Sequence, residues 1–198
     1  MESAIQSICD RFVLDIACLH AVAEMLPERS LERRVPATSW TVRQTFNHIA
    51  LAIHEYGSMV ARFLEGEPVI AAGFDRDALN AGHVSQAGVT PLPEILASLG
   101  HARDRLFAAL ERLSPTQHEM PFAGEDMVAV LADWSQHGAR HALELLEALP
   151  EIRFEPFFLS WLLGSELGGS EEISARRERL RTDAMAAYVA AGEVSHAL

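Results

Sequence analysis

The sequence predicts an all-α protein: a four-helix bundle over residues 1–150, followed by a C-terminal helical extension over residues 151–198. Three observations support this class. Apolar residues recur at steps of three and four along most of the chain, the spacing that places them on one face of an α-helix. Prolines and glycines divide the chain into segments of helical length. No useful stretch alternates apolar and polar residues as a strand does. Four amphipathic helices with moderate connections pack as a bundle.

The first predicted helix runs from about Glu2 to Leu26, where Pro27 ends it. Its apolar stripe consists of Ile5, Ile8, Phe12, Ile16 and Leu19. Cys9 and Cys18 both fall in this helix, nine residues apart, which excludes a disulfide between them. We therefore expect two thiols in a reducing compartment.

The second predicted helix begins after Thr41, whose hydroxyl can cap it, and Gln44 three residues later completes a capping box. Its stripe consists of Val42, Phe46, Ile49, Ile53, Val60 and Leu64. Gly66 and Pro68 end the helix. The next stretch is less regular, and residues 74–86 form either a short helix or a segment that wraps around the bundle.

The third predicted helix begins at Thr90 and Pro91, a capping hydroxyl followed by a proline in the first turn, and ends before Pro115. Its stripe consists of Ile95, Leu99, Leu106 and Leu110. The fourth predicted helix covers about residues 125–149. Its stripe consists of Met127, Val130, Leu131, Trp134, His141, Leu145 and Leu149.

The tail differs from the bundle. It contains an aromatic patch over residues 157–163, a glycine-rich break over residues 164–169 and a charged helix over about residues 170–191. We expect it to pack on the bundle or on a second subunit.

The charge of the chain argues against a nucleic-acid partner, because the formal net charge is −12 and an acidic protein repels phosphate backbones. Arginines near the end are interleaved with acidic residues, a pattern typical of a solvated helix face. These arginines are Arg176, Arg177, Arg179 and Arg181. No run approaches the ~20 apolar residues of a membrane span, and the acidic start Met1-Glu2-Ser3 is unlike a signal peptide. We expect no membrane partner and a cytoplasmic location.

Two of the nine histidines have the spacing of a metal site. His137 and His141 are four residues apart in the fourth predicted helix, so their imidazoles lie one turn apart on the same face. Neutral imidazole is a common ligand of zinc, nickel, iron and copper ions. His141 also lies on the apolar stripe, and a buried imidazole without a partner is costly. A metal ion would satisfy both rings.

A third ligand must come from a facing helix, as in other bundles that hold metals. The second predicted helix offers His48 and His54, and spacing alone does not decide between them. The other histidines stand alone on predicted surfaces or in loops, and are read as ordinary polar residues. These five are His20, His83, His101, His118 and His196.

Two segments resemble the DinB-like family. One is Trp40-Thr41-Val42-Arg43-Gln44-Thr45-Phe46-Asn47-His48-Ile49, in which a histidine follows the tryptophan by eight positions, and the other is His137-Gly138-Ala139-Arg140-His141. The middle segment, Asp77-Ala78-Leu79-Asn80 followed by residues 91–115, is also similar to the family's third-helix region. The likeness covers about residues 1–150 and selects His48 as the third ligand.

The resemblance implies a bundle, often dimeric, that binds one divalent metal ion, usually zinc or nickel, through His48, His137 and His141. Relatives include mycothiol-dependent maleylpyruvate isomerase and bacterial thiol S-transferases, whose metal is assigned the role of activating a low-molecular-weight thiol. It therefore implies a small-molecule substrate, a thiol co-substrate and a homodimer. The tail from Glu151 has no counterpart in the short family members.

Three histidines leave a tetrahedral ion one open position. A thiol that binds there loses its proton and can attack an electrophile, whereas water in the same place would give hydrolysis. The acidic residues nearest the ligands along the chain are Glu55, Asp133 and Glu144. Asp133 lies one turn before His137, so we expect it to orient the second nitrogen of that imidazole.

Two functions from different classes remain. The first is a metal-dependent enzyme, a transferase or a hydrolase, with no catalytic residue assigned. The second is a non-catalytic small-molecule-binding or dimeric interaction protein whose site is empty, structural or covered by the tail. Arg43 and Arg140 are candidate contacts for an anionic substrate, although ion pairs are the ordinary interpretation, and Trp40 and Trp134 are interpreted as packing residues.

Overall fold

A computed structural model describes residues 2–70, 72–88 and 90–152 and, further along, residues 158, 171, 174–183 and 186. Its helices are α1 (Glu2–Met25), α2 (Val42–Leu64), α3 (Arg76–Gln86), α4 (Leu92–Leu110) and α5 (Met127–Ala148). Short 3-10 helices lie in two connections, at Glu28–Glu32 and Gln117–Glu119. The described ranges contain no strand and only two isolated bridges. The all-α class is confirmed.

Four long helices, α1, α2, α4 and α5, form the predicted bundle. α2 packs mainly on α4, and α1 packs on α5. The predicted apolar stripes face the interior, where Phe12, Phe46, Leu99 and Leu131 are each at most 1 % exposed. α3 settles the alternative for residues 74–86, because it is a helix that packs on α2.

The start of α2 is fixed by the predicted capping box. The Thr41 hydroxyl accepts a hydrogen bond from the Gln44 backbone N–H at 3.1 Å, and the Gln44 side chain accepts one from the Thr41 N–H at 2.8 Å. α4 begins later than predicted, since the residue before its first turn is Pro91, which has no side chain that can cap it.

Gly57 lets α2 approach α4. A Cβ added at Gly57 would lie 3.4 Å from the backbone nitrogen of Leu106, at the lower limit of ordinary van der Waals contact. A larger side chain would therefore displace one helix from the other. The close contact fixes the turn of α2 that carries Tyr56.

The tail also contacts α5. Residues 174–183 are helical, and Arg176 and Arg177 are each only 8 % exposed. The expectation of a solvated face is therefore wrong for these two arginines. The glycine-rich break lies outside the described residues, as does the predicted aromatic patch apart from Phe158, which is fully buried. No helix in the described ranges is long and apolar enough to cross a membrane.

Candidate metal centre

The three histidines come from two antiparallel helices. The ring centroids of His48 and His141 are 5.1 Å apart, and those of Tyr56 and Trp134 are 4.2 Å apart. Residue numbers therefore rise along α2 as they fall along the facing part of α5. His48 is the seventh residue of α2 and lies at the end of its second turn, close to the capping box that fixes the start of the helix.

The Nε2 atoms of the three rings converge on one point. The Nε2 of His137 lies 3.1 Å from that of His48 and 3.0 Å from that of His141. One ring nitrogen of each residue lies within 4.8 Å of the other two, and this is the one such group among the described residues. His48 and His141 are buried, and His137 is half-buried.

The donor set fits a divalent ion. Bonds of about 2.0–2.1 Å from one ion to tetrahedrally placed nitrogens put those nitrogens about 3.3 Å apart, close to the two spacings seen here. Burial, followed by the neighbouring His141 and His83, lowers the pKa of His48 to about 3. Burial, followed by the other two histidines, also holds the pKa of His137 well below its usual value. These rings are neutral at pH 7, so their nitrogens are available as ligands.

Each histidine has a separate partner for its other nitrogen. The Nδ1 of His141 lies 2.7 Å from Oε2 of Glu144, and the Nδ1 of His137 lies 3.1 Å from the Tyr56 hydroxyl. A bond from Nδ1–H to such a partner fixes the tautomer that presents Nε2 as a lone pair.

His48 is supported by a fourth histidine. The Nδ1 of His83 lies 3.4 Å from the Nδ1 of His48, and the His83 carbonyl accepts a hydrogen bond from Asn47 at 2.7 Å. His83 is 5 % exposed. The interpretation of His83 as an isolated histidine is therefore wrong, because α3 brings it against α2.

Glu144 has both carboxylate oxygens occupied. While Oε2 faces His141, Oε1 lies 3.4 Å from Nη1 of Arg176, whose Nη2 also lies 2.6 Å from Glu147. Burial alone would raise the pKa of Glu144, but the bonds and charges of His141 and Arg176 hold it below its usual value. The carboxylate therefore stays ionised beside the ligand.

Tyr56, and not Asp133 as predicted, contacts Nδ1 of His137. Asp133 is exposed, and no hydrogen bond among the described residues joins it to His137. Tyr56 reaches Nδ1 of His137 from the facing helix, where its ring stacks on Trp134 at an angle of 4°. The sequence carried a signal for Glu144, which follows His141 by three residues on the same face, but none for Tyr56.

Two other residues that the sequence offered as site candidates, His54 and Arg43, have partners away from the three histidines. His54 does not reach the site, and its Nδ1 lies 3.5 Å from Arg105. Arg43 pairs with Glu28 and Glu32, as the ordinary interpretation predicted.

Trp40 packs over the site, with its ring centroid 4.9 Å from that of His48 and 6.2 Å from that of His141. Trp134 is a core residue, also as predicted.

A cavity of about 550 Å³ opens beside the histidines. α2 lines it from His48 to Arg62, and α3 and α5 form its other walls. His83 and Asp133 both line it. A small molecule in this cavity would reach His48 and His137.

A family model described as the DinB superfamily matches residues 12–145, which include all three histidines. No curated protein and no solved structure matches the chain.

Proposed function

Because this chain belongs to the DinB superfamily, we propose that it is a metal-dependent enzyme in which His48, His137 and His141 hold one divalent ion. The observation that carries the proposal is the convergence of three Nε2 atoms whose rings each have another partner at Nδ1. Three imidazole nitrogens suit zinc or nickel. They leave one position of a tetrahedral ion for a small molecule.

We propose transfer of a low-molecular-weight thiol to an electrophile as the reaction class. A divalent ion held by the three histidines would lower the pKa of a thiol or a water molecule bound to it. In a thiol transfer, the sulfur forms a bond to an electrophilic carbon while the leaving group departs with its electron pair. Hydrolysis by water is the same chemistry with a different nucleophile.

The chain's own residues orient the ligands and offer proton acceptors. Glu144 keeps the Nδ1 of His141 protonated, and it already accepts from His141 and Arg176, so it is not free to take another proton. Glu55 and Asp133 line the cavity without an ion pair among the described residues, and are the carboxylates available for that task. Tyr56 stays a hydroxyl, because burial raises its pKa above the ordinary value.

The test is the metal content of protein purified without a metal-affinity tag. We expect about one zinc or nickel ion per chain in the parent, and loss of that ion in His48→Ala and His137→Ala. His54→Ala is the matched control, since it removes a histidine from the same helix, one outside the site.

Two outcomes would contradict the proposal. One is a parent that binds no ion after dialysis against zinc and then nickel, which would leave a helical small-molecule-binding or interaction protein. The other is loss of the ion in His54→Ala to the same degree as in His48→Ala. The predicted homodimer and cytoplasmic location stay predictions.

A further inference from the structure

The cavity beside the histidines is lined by more positive than negative charge. Three guanidinium groups face it, against two carboxylates. These groups belong to Arg62, Arg76, Arg140, Glu55 and Asp133. This local excess of positive charge is opposite in sign to the formal net charge of the whole chain, which is −12.

None of these arginines pairs with a carboxylate in the part of the chain that the structure describes. No carboxylate among the described residues lies within ion-pair distance of Arg62, Arg76 or Arg140, whereas Arg43 and Arg176 each contact two carboxylates. Glu55 and Asp133 share the cavity with the three arginines, yet neither pairs with them.

Two of the guanidinium groups have a buried donor without a partner. The Nε atoms of Arg62 and Arg140 are shielded from solvent, and neither has a hydrogen-bond partner in the described part of the chain. A shielded donor is normally satisfied, because leaving it unpaired costs free energy. Asp133, in contrast, is exposed, so water satisfies its carboxylate.

Arg140 and Arg76 lie beside the histidine site. Arg140 follows His137 by three residues on α5, and Arg76 is the first residue of α3. Both arginines line the same cavity as His48 and His137. An anion bound by these arginines would therefore lie close to the site.

The rim of the cavity is apolar. Val69 is buried, but Ile70 and Phe74 are 46 % and 48 % exposed, among the most exposed large apolar side chains of the described chain. All three line the same cavity. Such a rim suits the carbon skeleton of a ligand whose charged end lies deeper.

We infer that this cavity binds an organic anion, a carboxylate on an apolar body, with Arg140 as its main contact and Arg62 and Arg76 beside it. Arginine suits this role because its planar group binds carboxylates in a forked geometry. The inference rests on the proposed function, in that the anion is the small molecule presented to the three histidines.

The test compares 4-phenylbutyrate with its uncharged counterpart 4-phenylbutyramide, by calorimetric titration of the full chain. Both probes are titrated into zinc-loaded and chelator-treated protein, because a carboxylate can also bind zinc directly. The variants are Arg140→Gln and Arg62→Gln. Arg112→Gln is the control, since Arg112 is exposed just after α4 and its loss changes the net charge equally.

In chelator-treated parent protein we expect the acid to bind about tenfold more tightly than the amide. Arg140→Gln should remove most of that preference, Arg62→Gln part of it, and Arg112→Gln none. Equal binding of the two probes, no binding of the acid, or an equal loss in Arg112→Gln would overturn the inference. Zinc content, measured on the same samples, tests the proposed function separately, and we expect Arg140→Gln to keep its zinc.

Discussion

Each histidine of the site uses its two ring nitrogens for different contacts: Nε2 lies near the other two rings, and Nδ1 contacts a separate partner. The spacing of His137 and His141 placed their Nε2 atoms together, because i and i+4 share a helix face. The partners at Nδ1 came from elsewhere: Tyr56 from the facing helix and His83 from α3. Such partners depend on how helices pack, which the local sequence does not encode. Only the contact between Glu144 and His141 could be predicted from helical spacing, because the two residues are three positions apart on α5.

We expect Glu144→Gln to weaken metal binding about tenfold to a hundredfold, the usual effect of losing a carboxylate behind a ligating histidine. The amide cannot provide the negative charge that faces His141 at 2.7 Å. Competition with a chromophoric chelator measures the affinity. Asp133→Asn is the control, because it removes the same charge from a residue that does not contact a ligand. A larger loss in Asp133→Asn than in Glu144→Gln would restore the role first predicted for Asp133.

At the scale of helices, α2 was the most predictable part of the chain. Its cap, its apolar stripe and the face that carries His48 all follow from local sequence. α3 was not predictable in the same way, because its contacts with α2 link distant residues. Asn47 bonds to the carbonyl of His83, 36 residues away. The local sequence of α3 indicates a helix only weakly, and its contacts with α2 determine the conformation. His83 was interpreted as an isolated residue because those contacts cannot be read from local sequence.

The helical tail segment reaches the candidate metal centre through one side chain, Arg176, which contacts Glu144 behind His141. We expect Arg176→Gln to weaken metal binding about threefold to tenfold, less than Glu144→Gln, because Arg176 acts on the ligand only through Glu144. The same chelator competition measures it. Arg181→Gln, on the same segment but paired only with Glu178 in the described chain, should bind metal like the parent. Equal affinities of Arg176→Gln and the parent would show that the tail does not support the site.

At the scale of the whole molecule, the buried histidines link folding to pH. In the unfolded chain His48 takes up a proton near pH 6.5, whereas in the folded protein its pKa is lowered by burial to about 3. Between these values the unfolded state binds more protons, so the metal-free protein loses stability as the pH falls.

We therefore expect the free energy of unfolding of chelator-treated protein to fall below pH 6.5, by up to about 1.4 kcal/mol per pH unit for each such histidine. Urea titrations at pH 7 and pH 5.5 measure the change. His48→Gln lacks one of these groups and should lose less stability over the same interval. Identical losses in the two proteins would mean that the His48 ring is not buried as a neutral group.

His48 and His137 are 89 residues apart in the chain, yet their Nε2 atoms lie 3.1 Å from each other. An ion held by both would act as a removable tether between the two halves of the polypeptide. Such a tether restricts the unfolded chain most when the loop it closes is long, since the entropy of loop closure grows with loop length. Loading the site would thus make the bundle harder to pull apart.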